Sequence, residues 1–190
     1  MAGKKVIGVL ALQGAFAEHQ AVLSRCKAEA IRVRSKEDIK AIDGLIIPGG
    51  ESTTIGRLLV DYDLGESIIE RSRTGMPVFG TCAGMIVMAK EINGSEQYSL
   101  GLMNISTRRN AFGRQVDSFE ADLEVKWQRK KIKGIFIRAP YVDRVWGDAE
   151  VLSMYDGKVV MVREKNLLAC SFHPELTSDL TIHRYFLSMV

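Results

Sequence analysis

The 190-residue chain holds only three cysteines, Cys26, Cys82 and Cys170, and no two of them form a CxxC pair. An odd count without paired spacing argues against a disulfide framework and against a zinc site, so no metal is called for. Histidine is equally scarce: His19, His173 and His183 are the only candidates for imidazole chemistry. No apolar run approaches the roughly 18 residues a membrane-spanning helix needs. Charge of one sign is missing too. Lys and Arg number 26 against 23 Asp and Glu, and the net charge of +3 is too mild to argue for nucleic acid. The one basic cluster, KWQRKKIK (Lys126 to Lys133), has a single interleaved aromatic, Trp127. It reads as a solvated loop or strand end rather than a phosphate-binding patch.

An apolar fraction of 46% and a charged fraction of 26% are ordinary for a globular protein. The length fits one domain, residues 1–190, with a full core of its own. The N-terminal stretch MAGKKVIGVLALQGAFAEH superficially resembles a signal peptide, with two lysines, a short apolar run and the small-residue AFA. Its apolar run, Val6 to Leu12, is broken by Gln13. It reads better as a buried first strand entering a glycine turn, and hence as a cytoplasmic protein, where a free thiol persists.

The first half alternates short apolar runs with helical stretches. KVIGVLAL, IRVRS, DGLIIPGG and MPVFGTC read as strands; AFAEHQAVLSRCKAEA, STTIGRLLVDY and AGMIVMAKEI read as helices. In the first helix Val22 and Leu23 face inward, with His19 and Gln20 turned away. The second is expected to start on a Ser/Thr cap. This βα alternation predicts a mostly parallel sheet between helical layers. The second half turns to period two: FEADLEVKW, KGIFIRAP and AEVLSMYDGKVVMVREKNLLACSFHP, with Asp156-Gly157 as a hairpin signal. An amphipathic helix, Ser178 to Met189, closes the chain. The predicted fold is a three-layer αβα sandwich whose sheet is mostly parallel, with antiparallel strands in the C-terminal half.

The stretch PVFGTCAGMIVMA puts Cys82 between Gly80 and Gly84, after an apolar strand and before a helical run. That is the pattern of a nucleophile elbow. Glycines fit where neighbouring backbone would strike a Cβ, and the turn lifts the sulfur clear of the sheet. The helix start favours negative charge on the thiol, and the Ala83 N–H would point at an oxyanion formed beside it. A buried structural cysteine is the alternative, and Cys26 and Cys170 are assigned to it. A thiol nucleophile needs a base. His19 and His183 lie in amphipathic helices, where a lone histidine is usually surface or satisfied core. In ACSFHPEL, His173 ends an alternating strand before Pro174, which favours extended backbone. Glu175, two residues on, then projects to the same side and is able to orient the ring. A capped loop is the bland reading of HPE. IIPGGES brings glycine N–H groups to a strand end, where ligands gather in parallel sheets; a plain strand–helix turn capped by Ser52 is its alternative. No Gly-Lys-Ser/Thr follows, which weighs against a nucleotide loop.

PGGEST, FGTCAG and SFHPE, in that order, resemble the class I glutamine amidotransferases. GVLALQGAFAEH, PGGESTT, RRNAFGRQVDSFEADL, FIRAP and CSFHPELT are similar, more narrowly, to the glutaminase subunits of pyridoxal 5'-phosphate synthase, from Val6 to about Thr177. The resemblance implies hydrolysis of L-glutamine to L-glutamate and ammonia without a cofactor. It implies Cys82 as nucleophile, His173 as acid and base, Glu175 as orienter, and an oxyanion hole from Gly50 and Ala83. It maps the glutamine contacts onto Gly50, Glu51, Ser52, Arg109, Ile137 and Arg138, and implies a barrel-shaped synthase subunit as partner in a hetero-oligomer. The bland reading of Arg109 and Arg138 is surface charge. Gln13, in the turn LQGAF, is a candidate for the interface or for control of the oxyanion hole. The readings left as alternatives are a glutaminase of another biosynthetic pathway, a regulatory subunit, and a redox sensor with the same fold. RNAFGRQVDSFE weighs against the first, and His173 with Glu175 against the last.

Overall fold

The computed structural model describes residues 5–109 and 118–190. The centre of the RNAFGRQVDSFE segment, residues 110–117, therefore lies outside the described residues, as do residues 1–4. In chain order the strands are β1 (Val6–Leu10), β2 (Glu29–Val33), β3 (Gly44–Ile47), β4 (Val78–Thr81), β5 (Ala89–Asn93), β6 (Met103–Arg108), β7 (Ser118–Val125), β8 (Gln128–Ile137), β9 (Tyr141–Val145), β10 (Glu150–Tyr155), β11 (Lys158–Glu164) and β12 (Leu167–Cys170). The helices are α1 (Phe16–Arg25), α2 (Lys36–Lys40), α3 (Ser52–Asp61), α4 (Gly65–Arg73), α5 (Ala83–Met88) and α6 (Thr181–Met189), with a short 3-10 turn at Pro174–Leu176.

The main sheet runs β2-β1-β3-β4-β12-β11-β9-β6-β5, and β10 pairs with β11. Its first five strands are joined in parallel, as are β5 and β6. The pairings of β11 with β12, β9 and β10, and of β6 with β9, are antiparallel. Strands β3, β4 and β12 are buried at every residue, which is why they read as unbroken apolar runs. Alternate residues of these strands feed two cores. Leu45, Ile47 and Val78 meet Ile39, Ile55, Leu59, Ile68 and Val87 from α2 to α5. Ile46, Phe79 and Leu168 meet Leu23, Ile182 and Phe186 from α1 and α6. Part of this second layer is not helical. The antiparallel ribbon β7–β8 covers it with Leu123, Ile132 and Phe136.

The hairpin expected at Asp156-Gly157 joins β10 to β11, with Tyr155 opposite Lys158. Both turn residues have positive φ, 48° and 70°, as a twist-matched two-residue turn requires. The basic cluster runs from the turn into β8. Lys126, Lys131 and Lys133 pair with Glu150, Glu124 and Glu120 on neighbouring strands, so its charge is spent on a solvated ribbon. Three expectations are corrected. The helix expected through AGMIVMAKEI stops at Met88, and Ala89–Asn93 is the strand β5. Pairing with β6 claims those residues, with Ala89 opposite Met103 and Ile92 opposite Thr107. Helix α3 is capped by Glu51 rather than by a Ser/Thr, since the Glu51 carboxylate accepts from Thr53 N–H. His19 is not turned away. It is fully buried with Val22 and Leu23.

Candidate active site

Four parallel strands, β1, β3, β4 and β12, end at one edge of the sheet. The loops that leave them carry Gln13, Gly49-Gly50-Glu51, Cys82 and His173. The edge gathers these residues for a topological reason, because parallel strands place all their C-termini together. With Arg109 after β6, and Ile137 and Arg138 at the end of β8, they line a cavity of about 370 Å³. Ala83, Ser52, Ile86, Pro140 and Leu176 complete its wall. Of the residues expected at the site, only Glu175 does not line it.

Cys82 sits where β4 turns into α5, with φ 50° and ψ −104°. Such a backbone is costly for a residue with a Cβ and is held by its surroundings. Cys82 N–H donates to the Cys170 carbonyl at 2.8 Å, anchoring the turn to β12. The flanking glycines are required by close backbone approach. A Cβ on Gly84 would lie 2.0 Å from the Ile47 carbonyl oxygen, and one on Gly80 would lie 2.6 Å from the Gly84 carbonyl carbon. The Cys82 sulfur points towards the Ile137 carbonyl at 4.0 Å. Cys82 and His173 are each only 8% exposed, so both groups open to the cavity and little else.

His173 Nδ1 lies 2.7 Å from Glu175 Oε1. The two side chains meet because Pro174–Leu176 coils into a 3-10 turn, not because the strand continues. His173 N–H donates to the Ile135 carbonyl of β8 at 2.7 Å, which fixes where the ring begins. Burial opposes a charge on His173. Hydrogen bonds to the Cys82 sulfur and the Glu175 carboxylate, with their charges, outweigh burial and raise its pKa to about 10. Burial likewise opposes ionisation of Glu175, yet His19 and His173 beside it hold its carboxyl below the usual range. At neutral pH the ring therefore carries the proton and faces the sulfur.

The other wall is polar. Arg109 donates to Glu51 Oε1 at 3.2 Å and to Gln97 Oε1 at 3.3 Å, and Ser52 Oγ donates to the same Gln97 oxygen at 3.1 Å. Glu51 is held below the usual carboxylate range by its hydrogen bond to Thr53, against a cost of burial, with Arg109 and Arg138 adding positive charge. Arg138 stands at φ 42°, a strained position at the cavity rim. Gln13 Oε1 accepts from Glu51 N–H at 2.8 Å. A Cβ on Gly50 would sit 2.3 Å from that same oxygen, so Gln13 lies across the glycine loop. Cation, carboxylate and thiol thus line one small cavity, as recognition of a zwitterion beside a nucleophile requires.

Residues 9–190 match the SNO glutamine amidotransferase family. The chain belongs to that family. It is 57% identical over 182 residues to a pyridoxal 5'-phosphate synthase subunit PdxT from Pelotomaculum thermopropionicum, covering 95% of this chain and 93% of that one. It is 55% identical to the PdxT subunit from Carboxydothermus hydrogenoformans, covering 97% of each. A crystal structure of a glutamine amidotransferase, 50% identical, superimposes with a TM-score of 0.93 over 96% of this chain and 97% of that one. PurLQS from Thermotoga maritima, 17% identical with a TM-score of 0.72 over 98% of this chain, shares the fold.

Sequence reasoning missed several residues around the site of this SNO-family chain. Gln97 bridges Ser52 and Arg109 from a loop without periodicity, and nothing in the sequence marks it. Thr81, beside Cys82, accepts from Gly49 N–H at 3.0 Å. His19 and His183 are fully buried, with His19 Nδ1 2.9 Å from His183 Nε2. The spacing of His19, Val22 and Leu23 is that of one helix face and was the available signal. Cys26 and Cys170 stand apart from the cavity. Burial raises the pKa of both thiols, well above the ordinary value for the fully enclosed Cys170.

Proposed function

We propose that residues 1–190 form a single glutamine amidotransferase domain that hydrolyses L-glutamine with Cys82, His173 and Glu175. The observation that carries this reading is the thiol on a strained elbow at the cavity floor, facing a protonated imidazole whose other nitrogen is 2.7 Å from a buried carboxylate. The Cys82 thiolate attacks the side-chain amide carbon, and the carbonyl oxygen takes up the negative charge. N–H groups of Ala83 and Gly50 stabilise that oxyanion. His173 gives its proton to the nitrogen as the C–N bond breaks, releasing ammonia and leaving a thioester. Water then attacks the thioester while His173 accepts its proton. Glutamate departs, the Cys82 sulfur is released from the acyl group, and His173 holds the proton again. Glu175 keeps the ring oriented throughout.

Gly50, Glu51, Ser52, Arg109, Ile137 and Arg138 hold the glutamine head and backbone edges. The arginines supply cations for its carboxylate, and Glu51 supplies an acceptor for its ammonium. Ammonia passes to a partner synthase subunit, a reading supported by relatives that are named as subunits of pyridoxal 5'-phosphate synthase. Gln13 latches the Gly49–Gly50 loop and is the control point on which that partner acts. The three cysteines are free, as suits work in the cytoplasm, and no helix among the described residues is long and apolar enough to cross a membrane.

The test is ammonia release from glutamine, measured with and without the synthase subunit. Wild type is expected to turn over with the subunit and to be nearly idle alone, and Cys82→Ala to be dead in both. Substantial ammonia from Cys82→Ala would refute the mechanism, and equal wild-type rates in both conditions would refute control through Gln13.

A further inference from the structure

Behind the triad, on the side away from the cavity, lies a polar cluster in an otherwise apolar core. His19 of α1 and His183 of α6 are fully buried, as is Thr81 at the end of β4. His19 Nε2 is 3.1 Å from Thr81 Oγ1 and 3.5 Å from Glu175 Oε2. His19 Nδ1 is 2.9 Å from His183 Nε2. Thr81 Oγ1 in turn accepts from Gly49 N–H at 3.0 Å. The Gly49 carbonyl accepts from Ala15 N–H at 3.0 Å, and Ala15 is the N-cap of the helix that carries His19. The contacts therefore close a ring: α1, His19, Thr81, Gly49 and back to the start of α1.

The partners assign the tautomer. Glu175 Oε2 is buried and makes no hydrogen bond of ordinary length among the described residues. A proton on His19 Nε2 faces this oxygen and the Thr81 oxygen together. The Nδ1 lone pair then accepts from His183 Nε2–H. This leaves His183 Nδ1, which has no partner among the described residues, as a bare acceptor rather than an orphaned donor. Orphaned buried N–H groups are the rarer defect. The opposite tautomer would aim a lone pair at the carboxylate and strand an N–H on His183. Burial keeps both rings towards the neutral state, which this donor chain uses.

We propose that His19 is a positioning residue that holds the free oxygen of Glu175 and, through the Thr81 hydroxyl, the Gly49 amide, so that one buried strut sets both the triad and the oxyanion loop. The proposal rests on the glutaminase reading above. It explains why a core should hold two uncharged imidazoles where Leu and Phe would pack without polar cost. It also explains the position of Thr81. That residue is next to Cys82 in the chain, yet its hydroxyl points backwards to the network and not into the cavity. His19 touches no reacting atom. A misplacement of about 1 Å in the groups it holds is enough to cost catalysis roughly 100-fold.

Two substitutions at one position separate geometry from packing. A Gln amide nitrogen reaches the place of Nε2, whereas an Asn amide reaches only that of Nδ1. With the synthase subunit present, His19→Asn is expected to lower kcat by roughly 10- to 100-fold with little change in KM, since Glu51, Arg109 and Arg138, which hold the charged head of glutamine, lie outside the strut. His19→Gln is expected to recover most of kcat. Thr81→Val, nearly isosteric, cuts the strut without touching His19 and is expected to reproduce the Asn deficit. Wild-type kcat in Thr81→Val, or a His19→Gln variant as impaired as His19→Asn, would overturn the proposal. Should His19→Asn fail to fold, Thr81→Val decides alone. A wild-type chain that releases no ammonia would bring down the glutaminase reading and this inference with it. An active wild type with an unimpaired Thr81→Val would remove only this inference.

Discussion

The buried imidazole pair gives the protein a predictable weakness to acid. His183 is lowered from 6.5 to about 3, first by burial and next by the adjacent His19, with Arg25 acting the same way and Glu175 opposing. A base whose folded pKa lies below its unfolded value stabilises the fold above the unfolded pKa and loses that contribution as pH falls. The window therefore opens near 6.5 and closes near 3. Each pH unit inside it removes about 1.4 kcal/mol per histidine. Between about pH 7 and about pH 5, His183 alone should remove about 2 kcal/mol. That is a large part of the 5–15 kcal/mol that typically holds a domain of this kind together. Glu175 does not blur the comparison of pH 7 with pH 5, because its carboxyl is held below the ordinary 4.5 and loses its contribution only in stronger acid than that. His173, raised to about 10, is protonated in both states below 6.5 and contributes no slope there. The assay is urea unfolding at the two pH values for wild type and His183→Gln, whose amide is still able to donate to His19. Wild type should lose about 2 kcal/mol more than the variant on acidification. Equal losses would show that His183 does not carry the acid sensitivity and would refute the neutral pair.

Two further outcomes follow from the geometry. Gly84→Ala would place a methyl 2.0 Å from the Ile47 carbonyl oxygen, and overpacking of this kind costs about 1–3 kcal/mol or more, so its thermal midpoint should fall clearly below that of wild type. An unchanged midpoint would contradict the close approach at the elbow. Glu175→Gln should impair glutamine turnover less than His173→Ala does, because an orienter holds the ring while the base moves the proton. Steady-state rates with the synthase subunit present rank the two, and a fully active His173→Ala would remove His173 from the mechanism.

The parallel half of the sheet was legible because its strands are buried on both faces. Short unbroken runs such as GLII, ended by Pro48 and glycines and set between helical segments, fit a strand covered on both faces. The Asp156-Gly157 hairpin was legible because few dipeptides adopt two positive φ values. The end of α5 was not. Met85 to Ile92 has helical composition, and only the distant β6 turns its last residues into a strand. Tertiary pairing overrode local propensity there. At the site, Cys82, His173 and Glu175 stood out because chemistry restricts the residue types and a tight turn restricts the flanks. Gln97 and Thr81 act through geometry that no local pattern encodes. His19 was misread because a histidine on a helix is usually solvated, and its burial depends on His183, 164 residues away.

Covalent labelling separates a catalytic Cys82 from an inert one. A glutamine-shaped electrophile, added to the native protein and mapped by peptide analysis, has three thiols to choose from. Cys82 lies in the cavity beside His173 and below Arg109 and Arg138. Cys170 is fully enclosed, and Cys26 lies at the end of α1, outside that cavity. Label is expected on Cys82 alone, with protection by excess L-glutamine, and Arg109→Ala or Arg138→Ala should slow labelling by the glutamine analogue more than labelling by a small neutral alkylator. Label on Cys26 or Cys170, or labelling of Cys82 that glutamine does not slow, would contradict the account.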